Sequence, residues 1–292
     1  MTKETINREY KDRLFKYIFG NEKHKDLTLS LYNAINGTSY TDANNLQIEN
    51  LEDVVYLGMR NDLSFLIADS MNLYEQQSTY NPNMPVRMLC YVGKLYSMYF
   101  EKHYDLRNKL FGSRMVNIPC PKLICFYNGE REKNEEEILR LSDAFEDKNM
   151  KSDIEVTVRM LNINWGNNNK LMKDCKPLAD YSNIVSNVRK LVRLGISVED
   201  AIEMALQGLS GDSEVRKLII ENKAGVVDMF LTEYDEQGVM NVIKEEGRAE
   251  GREEGESAKG LEVAKKSIEE GLSLDVVNRI TGIPIEELKK LK

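Results

Sequence analysis

Asp62, Glu75 and Gln77 are the residues around which chemistry could be arranged. They sit at the two ends of NDLSFLIADSMNLYEQQST (61–79), two short apolar runs whose acids and amides collect at one end. If Asp69 and Ser70 form a two-residue turn, Ala68 faces Met71 and Asp62 faces Gln77. Strand alternation then puts Asp62, Ser64, Glu75 and Gln77 on one face. A four-residue loop keeps that parity and a three-residue loop reverses it. Two neighbouring carboxylates repel and raise each other's pKa unless a cation lies between them. Mg²⁺, or a similar ion such as Mn²⁺, suits such a pair because it takes oxygen ligands and keeps several waters. Those waters can be activated for in-line attack on a phosphodiester, with the ion stabilising the developing charge. The same residues also read as the solvent face of an ordinary amphipathic strand, with Asp62 a turn residue after Arg60 and Asn61. Periodicity alone leaves both readings open.

Other chemistries have less material. Two histidines, His24 and His103, are too few for a histidine-built zinc site and leave little for a Ser-His-Asp triad. The four cysteines, Cys90, Cys120, Cys125 and Cys175, show no CxxC spacing and read as reduced core thiols of a cytoplasmic protein. NWGNNN (164–169) has neither P-loop nor GxGxxG spacing, so nucleotide binding has no support. Its Trp165 reads as a structural anchor. The net charge of −8 argues against a general coating of nucleic acid. It leaves room for basic residues concentrated beside an acidic metal site. No apolar run approaches the roughly 20 residues that span a bilayer, and MTKETINREYKDR lacks a signal-peptide core. No membrane partner and a cytoplasmic location are therefore expected.

The elements that must position the acids can be read from spacing. NREYKDRLFKYIFG carries apolar residues at helical intervals up to the stop at Gly20, and KDLTLSLYNAING continues as a second helix ending at Asn36-Gly37. Strand-like LQIENLEDVVYLG and the two hairpin arms follow. From Pro85, VRMLCYVGKLYSMYFEKHYDL reads as a long buried helix. Leu123 to Tyr127 form a compact strand stopped by Asn128-Gly129, and DIEVTVRMLNINWG is another, alternating at Ile154, Val156 and Val158. The acid-rich EREKNEEE reads as solvated chain outside the chemistry. Beyond about residue 170 the pattern is helical to Tyr234. The expectation is an α/β fold with a mixed sheet flanked by helices and a helical C-terminal half. Its parts are a core over 1–170, a helical extension over 171–240, a charged glycine-rich linker or exposed helix over 241–260 and a small helical appendage over 261–292. The appendage contains SLDVVNRITGIPIEELKKL, like half of a helix-turn-helix, and reads better as an oligomerisation or docking element than as a groove reader.

Asp62, twelve intervening residues and Glu75-x-Gln77 resemble the active-site hairpin of the PD-(D/E)XK nuclease superfamily. DRLFKYIFG, NDLSF, NLYEQQSTYNPNMPVRMLCYVGKLY, PCPKLICFYNG, LSDAF, LNINWGNN and EEGRAEGREEG extend the likeness over most of the chain. Together they resemble the Rpn family of recombination-promoting nucleases, also labelled transposase-like. The resemblance implies a restriction-endonuclease-like core and a divalent-metal-dependent DNA endonuclease acting in DNA recombination or a mobile element. It implies Asp62 and Glu75 as metal ligands, Gln77 in the place of the superfamily's lysine, and Asp12 as a further ligand. Lys16, Arg87 and Tyr91 would contact DNA or orient the site. Arg87 and Tyr91, four apart, share a helix face. The chain departs from that family's pattern at Gln76, where its members usually carry histidine. Gln77 is neutral and cannot stabilise an anion as an amine does. A catalytically weak or inactive DNA-binding protein of the same fold is therefore the alternative, and a homo-oligomer through the C-terminal helices is the other expected partner.

Overall fold

The computed structural model describes residues 10–48, 62–231, 259, 263–268, 270 and 272–288. They divide into two compact units, Met1–Thr232 and Glu233–Lys292. In the first unit, helices α1 (Tyr10–Phe19) and α2 (Lys25–Asn36) precede strands β1 (Gln47–Ile48), β2 (Leu63–Ile67) and β3 (Ser70–Gln77). Helix α3 (Met84–Lys102) and the short α4 (Tyr104–Lys109) lead to β4 (Cys120–Tyr127), β5 (Glu136–Arg140) and β6 (Thr157–Asn162). Helices α5 (Asn169–Asp174), α6 (Lys176–Arg193), α7 (Val198–Gln207), α8 (Glu214–Glu221) and α9 (Lys223–Leu231) complete it. Gly37 ends α2 with φ 64°, where its amide returns to the Asn33 carbonyl, a left-handed cap that glycine adopts without strain.

The strands form one six-stranded mixed sheet in the order β1-β2-β3-β4-β6-β5. β3, β4 and β6 run parallel, and the outer pairings are antiparallel. Side-chain alternation sorts the core into two layers. Phe65, Tyr74, Ile124, Phe126 and Leu161 point to the layer that also holds Leu14, Phe15, Tyr181 and Val185. Met71, Leu73, Cys125, Tyr127, Val158 and Met160 point to the layer that α3 covers with Met88, Tyr91 and Leu95. Residues 171–231 close the first of these layers rather than standing apart from it. An α/β fold with helices over a mixed sheet is thus what the chain forms.

Several details differ from the reading by spacing. The turn is Ala68-Asp69, because Ile67 pairs with Ser70. Ala68 takes φ 48°, a conformation that glycine or asparagine usually signals and alanine hides. Glu136–Arg140 of the acidic run is a strand, held as the sheet's edge by β6. β6 begins at Thr157, leaving Ile154 in an exposed loop. Trp165 is 53% exposed rather than a buried anchor. Cys125 and Cys175 are buried thiols, but Cys120 is exposed and Cys90 only half-buried. No helix among the described residues is long and apolar enough to cross a membrane. In the second unit, helices Leu274–Thr281 and Ile285–Leu288 flank a left-handed Gly282, and Val277 and Leu288 meet Ala264 in a small core. The linker expected over 241–260 lies outside the described residues except for Lys259.

Candidate active site

The hairpin register decides which side chains meet. Leu63 pairs with Tyr74, so the preceding residue, Asp62, is set against Glu75 rather than against Gln77. The displacement from the expected register is two residues, an even number, so Asp62, Ser64, Glu75 and Gln77 still share a face. That face looks toward α3. Glu75 is 2% exposed, and one carboxylate oxygen, Oε1, accepts a hydrogen bond from the Arg87 guanidinium. The same Arg87 nitrogen donates to the Tyr91 hydroxyl at 2.9 Å. Position 87 reaches strand β3 because Pro85 and Met84 start α3 against the end of the hairpin, and one helical turn brings Tyr91 beneath it.

Asp62 Oδ2 accepts the Gln76 backbone N–H at 2.6 Å. Burial nevertheless dominates, and it pushes the Asp62 carboxyl up to about 7, against the opposing influence of that bond and of Arg87 and Lys16. Glu75 is raised well above the usual carboxylate range by burial and then by the Asp62 charge beside it. Burial and the nearby Glu75 charge also push Tyr91 up to about 12. Two enclosed acids that both resist ionisation make a position where a cation is favoured.

The donor set fits a hard divalent ion on one further observation. Glu75 Oε2 is buried and has no hydrogen-bond partner. An unpartnered buried carboxylate oxygen is costly, and a cation shared with Asp62 would satisfy it. Mg²⁺ is commonly held by one or two carboxylates plus waters. Asp62 and Glu75 would hold it. The expected third ligand is not brought into a cluster with them, since no group of three or more His, Cys, Asp or Glu among the described residues could hold an ion. Asp12 instead stands at the rim on α1, where Oδ1 accepts from the Ser78 hydroxyl at 3.4 Å. α1 approaches β3 from the opposite layer, which keeps Asp12 at the sheet's end.

Gln77 folds back, its amide donating to Glu75 Oε1 at 3.3 Å and to the Gln76 carbonyl at 2.9 Å. It orients the acid and supplies no charge. Lys16 lies near enough for its charge to favour ionised Asp62. Gln76 points to the other layer, is fully buried, and leaves both amide atoms without a partner. In the sequence Gln76 stands out only as the departure from the family's histidine, and Ser78 does not stand out at all, because short-range polarity carries no sign of such a fold-dependent role.

No family model matches the sequence, and no curated protein or solved structure matches it either.

Proposed function

We propose that the protein is a divalent-metal-dependent endonuclease that hydrolyses phosphodiester bonds in DNA, with Asp62 and Glu75 as its metal-holding acids. The observation that carries this reading is the buried pair itself. Two carboxyls face each other across one hairpin, both are raised in pKa, and Glu75 Oε2 is orphaned. A bound ion would supply a polarised water and charge stabilisation at the scissile phosphate. The chain's own residues supply the rest. Gln77 and Arg87 fix the Glu75 carboxylate, Tyr91 fixes Arg87, and Lys16 adds positive charge beside Asp62. With Gln77 in the usual lysine position, no amine stands at that place to assist the attacking water.

A specific contact favours a second reading. Arg87 already neutralises one oxygen of Glu75, a pairing that a purely structural site would also make. The alternative is a DNA-binding or interaction protein that keeps the fold without useful catalysis. Incubating the purified full-length protein with supercoiled plasmid in Mg²⁺, in Mn²⁺ and in chelator, beside Asp62→Ala, decides between them. Metal-dependent nicking that Asp62→Ala abolishes supports the nuclease. An intact plasmid in both metals gives the site to the second reading.

A further inference from the structure

A second feature lies at the same end of the sheet. A cleft of about 390 Å³ opens where β4 and β6 finish, lined in part by Arg131, Lys133, Asn162, Asn164, Arg189 and Arg193. Its lining carries four cationic side chains against two acids, Glu130 and Glu132, in a chain whose net charge is −8. The carboxyl ends of parallel strands are where open α/β sheets place their ligands.

The cleft is built rather than incidental. Asn164 donates to the Gly129 carbonyl and to Asn162 Oδ1, both at 3.0 Å, while Asn162 donates to the Lys133 carbonyl at 3.0 Å. These bonds tie the loop after β4 to the loop after β6. Gly129 is required there, because a Cβ at that position would run into the Tyr127 ring. Tyr127 in turn donates to the Arg131 carbonyl and accepts from its amide, each at 3.0 Å, which fixes the chain that carries Arg131.

The cations it presents are incompletely used. Arg189 gives Asn164 Oδ1 one hydrogen bond at 3.3 Å, out of five N–H donors on a guanidinium. Arg193 pairs with Glu130, but the two side chains are 63% and 65% exposed. Exposed pairs of this kind contribute little and exchange readily for a better anion. Planar guanidinium forks match phosphate oxygens two at a time, and amide-rich walls supply further neutral donors. An acidic peptide would have to pass Glu130 and Glu132 with charge spread along its length. A phosphodiester presents its charge at one compact group.

We propose that this cleft is a phosphate-binding pocket that holds the backbone of a nucleic acid strand running on to the Asp62–Glu75 hairpin. The proposal rests on the nuclease reading for its direction, not for its chemistry. Glu75 pairs with Cys125, and Gly129 lies four residues further on, just past the end of β4 at Tyr127. At about 3.3 Å per residue and 4.8 Å per strand, the two places are roughly 14 Å apart. A few nucleotides of a strand cover that distance. Lys133 lies 3.5 Å over the ring of Tyr80, in the segment that leaves β3, and joins the rim of the cleft to the hairpin side.

The test is binding without cleavage. Fluorescence anisotropy of a labelled oligonucleotide would be measured in chelator for wild type, Arg189→Gln/Arg193→Gln, Glu130→Gln and Asp62→Asn, with folding followed by thermal melting. The double variant should bind at least tenfold more weakly, and its salt dependence should flatten by about two counterions' worth of slope. Glu130→Gln, an exposed change that leaves folding intact, should bind more tightly. Asp62→Asn should retain binding, which separates the cleft from the acids. Inorganic phosphate and a mononucleotide are the competing probes. Millimolar competition with much tighter oligonucleotide binding supports a strand backbone. Phosphate as tight as the oligonucleotide would overturn the strand in favour of a small phosphorylated ligand. Unchanged oligonucleotide affinity in both the double variant and Glu130→Gln would overturn the pocket altogether. Failure of the wild-type protein to nick plasmid in either metal, with oligonucleotide binding preserved, would sink the nuclease reading alone.

Discussion

Two charged regions share one end of the sheet and treat charge in opposite ways. At the hairpin, the acids are enclosed: Glu75 is 2% exposed, and its Oε2, the Gln76 amide and Arg87 Nε lack partners. At the β4–β6 cleft, Arg193 and Glu130 stand in solvent, and the asparagines between the loops are hydrogen-bonded. Burial turns charge into shifted pKa values and a demand for a counter-ion. Exposure leaves charge nearly neutral for stability and free for a ligand. The dry end is suited to chemistry and the wet end to holding.

The sharpest way to break this contrast is Glu75→Gln. It keeps the shape and removes the charge, so metal-dependent plasmid nicking should fall by at least about a hundredfold with the melting temperature maintained or raised. Equal nicking by the variant would mean that the dry end does no chemistry.

Next in size is a pH effect on stability. Asp62 ionises near 3.8 when unfolded and near 7 when folded. Between those values the folded chain holds a proton that the unfolded chain has lost. Its stabilising contribution is therefore complete below about pH 4 and disappears as pH rises through 7. Glu75 acts in the same direction. In chelator, melting temperature should fall from pH 5 to pH 8, and Asp62→Asn should flatten that fall. Mg²⁺ should restore more stability at pH 8 than at pH 5, because it replaces the proton. A melting temperature independent of both pH and metal would refute the enclosed pair.

Arg87→Ala should cost less. It leaves Glu75 buried without its cation, a loss near the low end of the roughly 3–5 kcal/mol that broken buried pairs cost, since Arg87 is partly exposed. Protonation of Glu75 limits the damage, so chemical denaturation should show a smaller loss at pH 5 than at pH 8. The smallest effect belongs to the wet end. Glu130→Ala should change stability by less than about 1 kcal/mol. A larger loss would make that ion pair structural and blur the contrast.

The sequence carried the dry end better than the wet one. That Asp62 and Glu75 share a face was legible because strand alternation places them so, and a two-residue error in register leaves parity unchanged. Spacing put Arg87 and Tyr91 only on a common helix face, and their place in the site came from the resemblance. The turn itself was misplaced because Ala68 offers no chemical sign of its positive φ. Asp12 was assigned to the metal from resemblance, and its rim position depends on how α1 crosses the sheet, which spacing does not encode. The cleft went unread for a similar reason. Arg189 and Arg193 look like ordinary helix charges, and Asn162 and Asn164 look like the polar end of a strand, until β4 and β6 are laid side by side.

β5 gives part of the acidic run a further use, although its Glu137 also pairs with the cleft's Lys133 at 3.4 Å. An outermost strand offers unpaired backbone groups to any other strand, and natural sheets blunt such borders with charge or with brevity. Among the described residues, one border is β1, Gln47–Ile48. The other is flanked by Glu135 and carries Glu136 and Glu137, with Glu136 clasped by Arg159 at 2.8 Å. The charged side chains along that border, Glu136 paired with Arg159 and Glu137 with Lys133, act as a safeguard by keeping it hydrated and a poor template for another strand. Replacing Glu135 and Glu137 with glutamine should leave the fold intact and surrender that safeguard, so the protein would pass from a dispersed solution to edge-joined assemblies as its concentration rises.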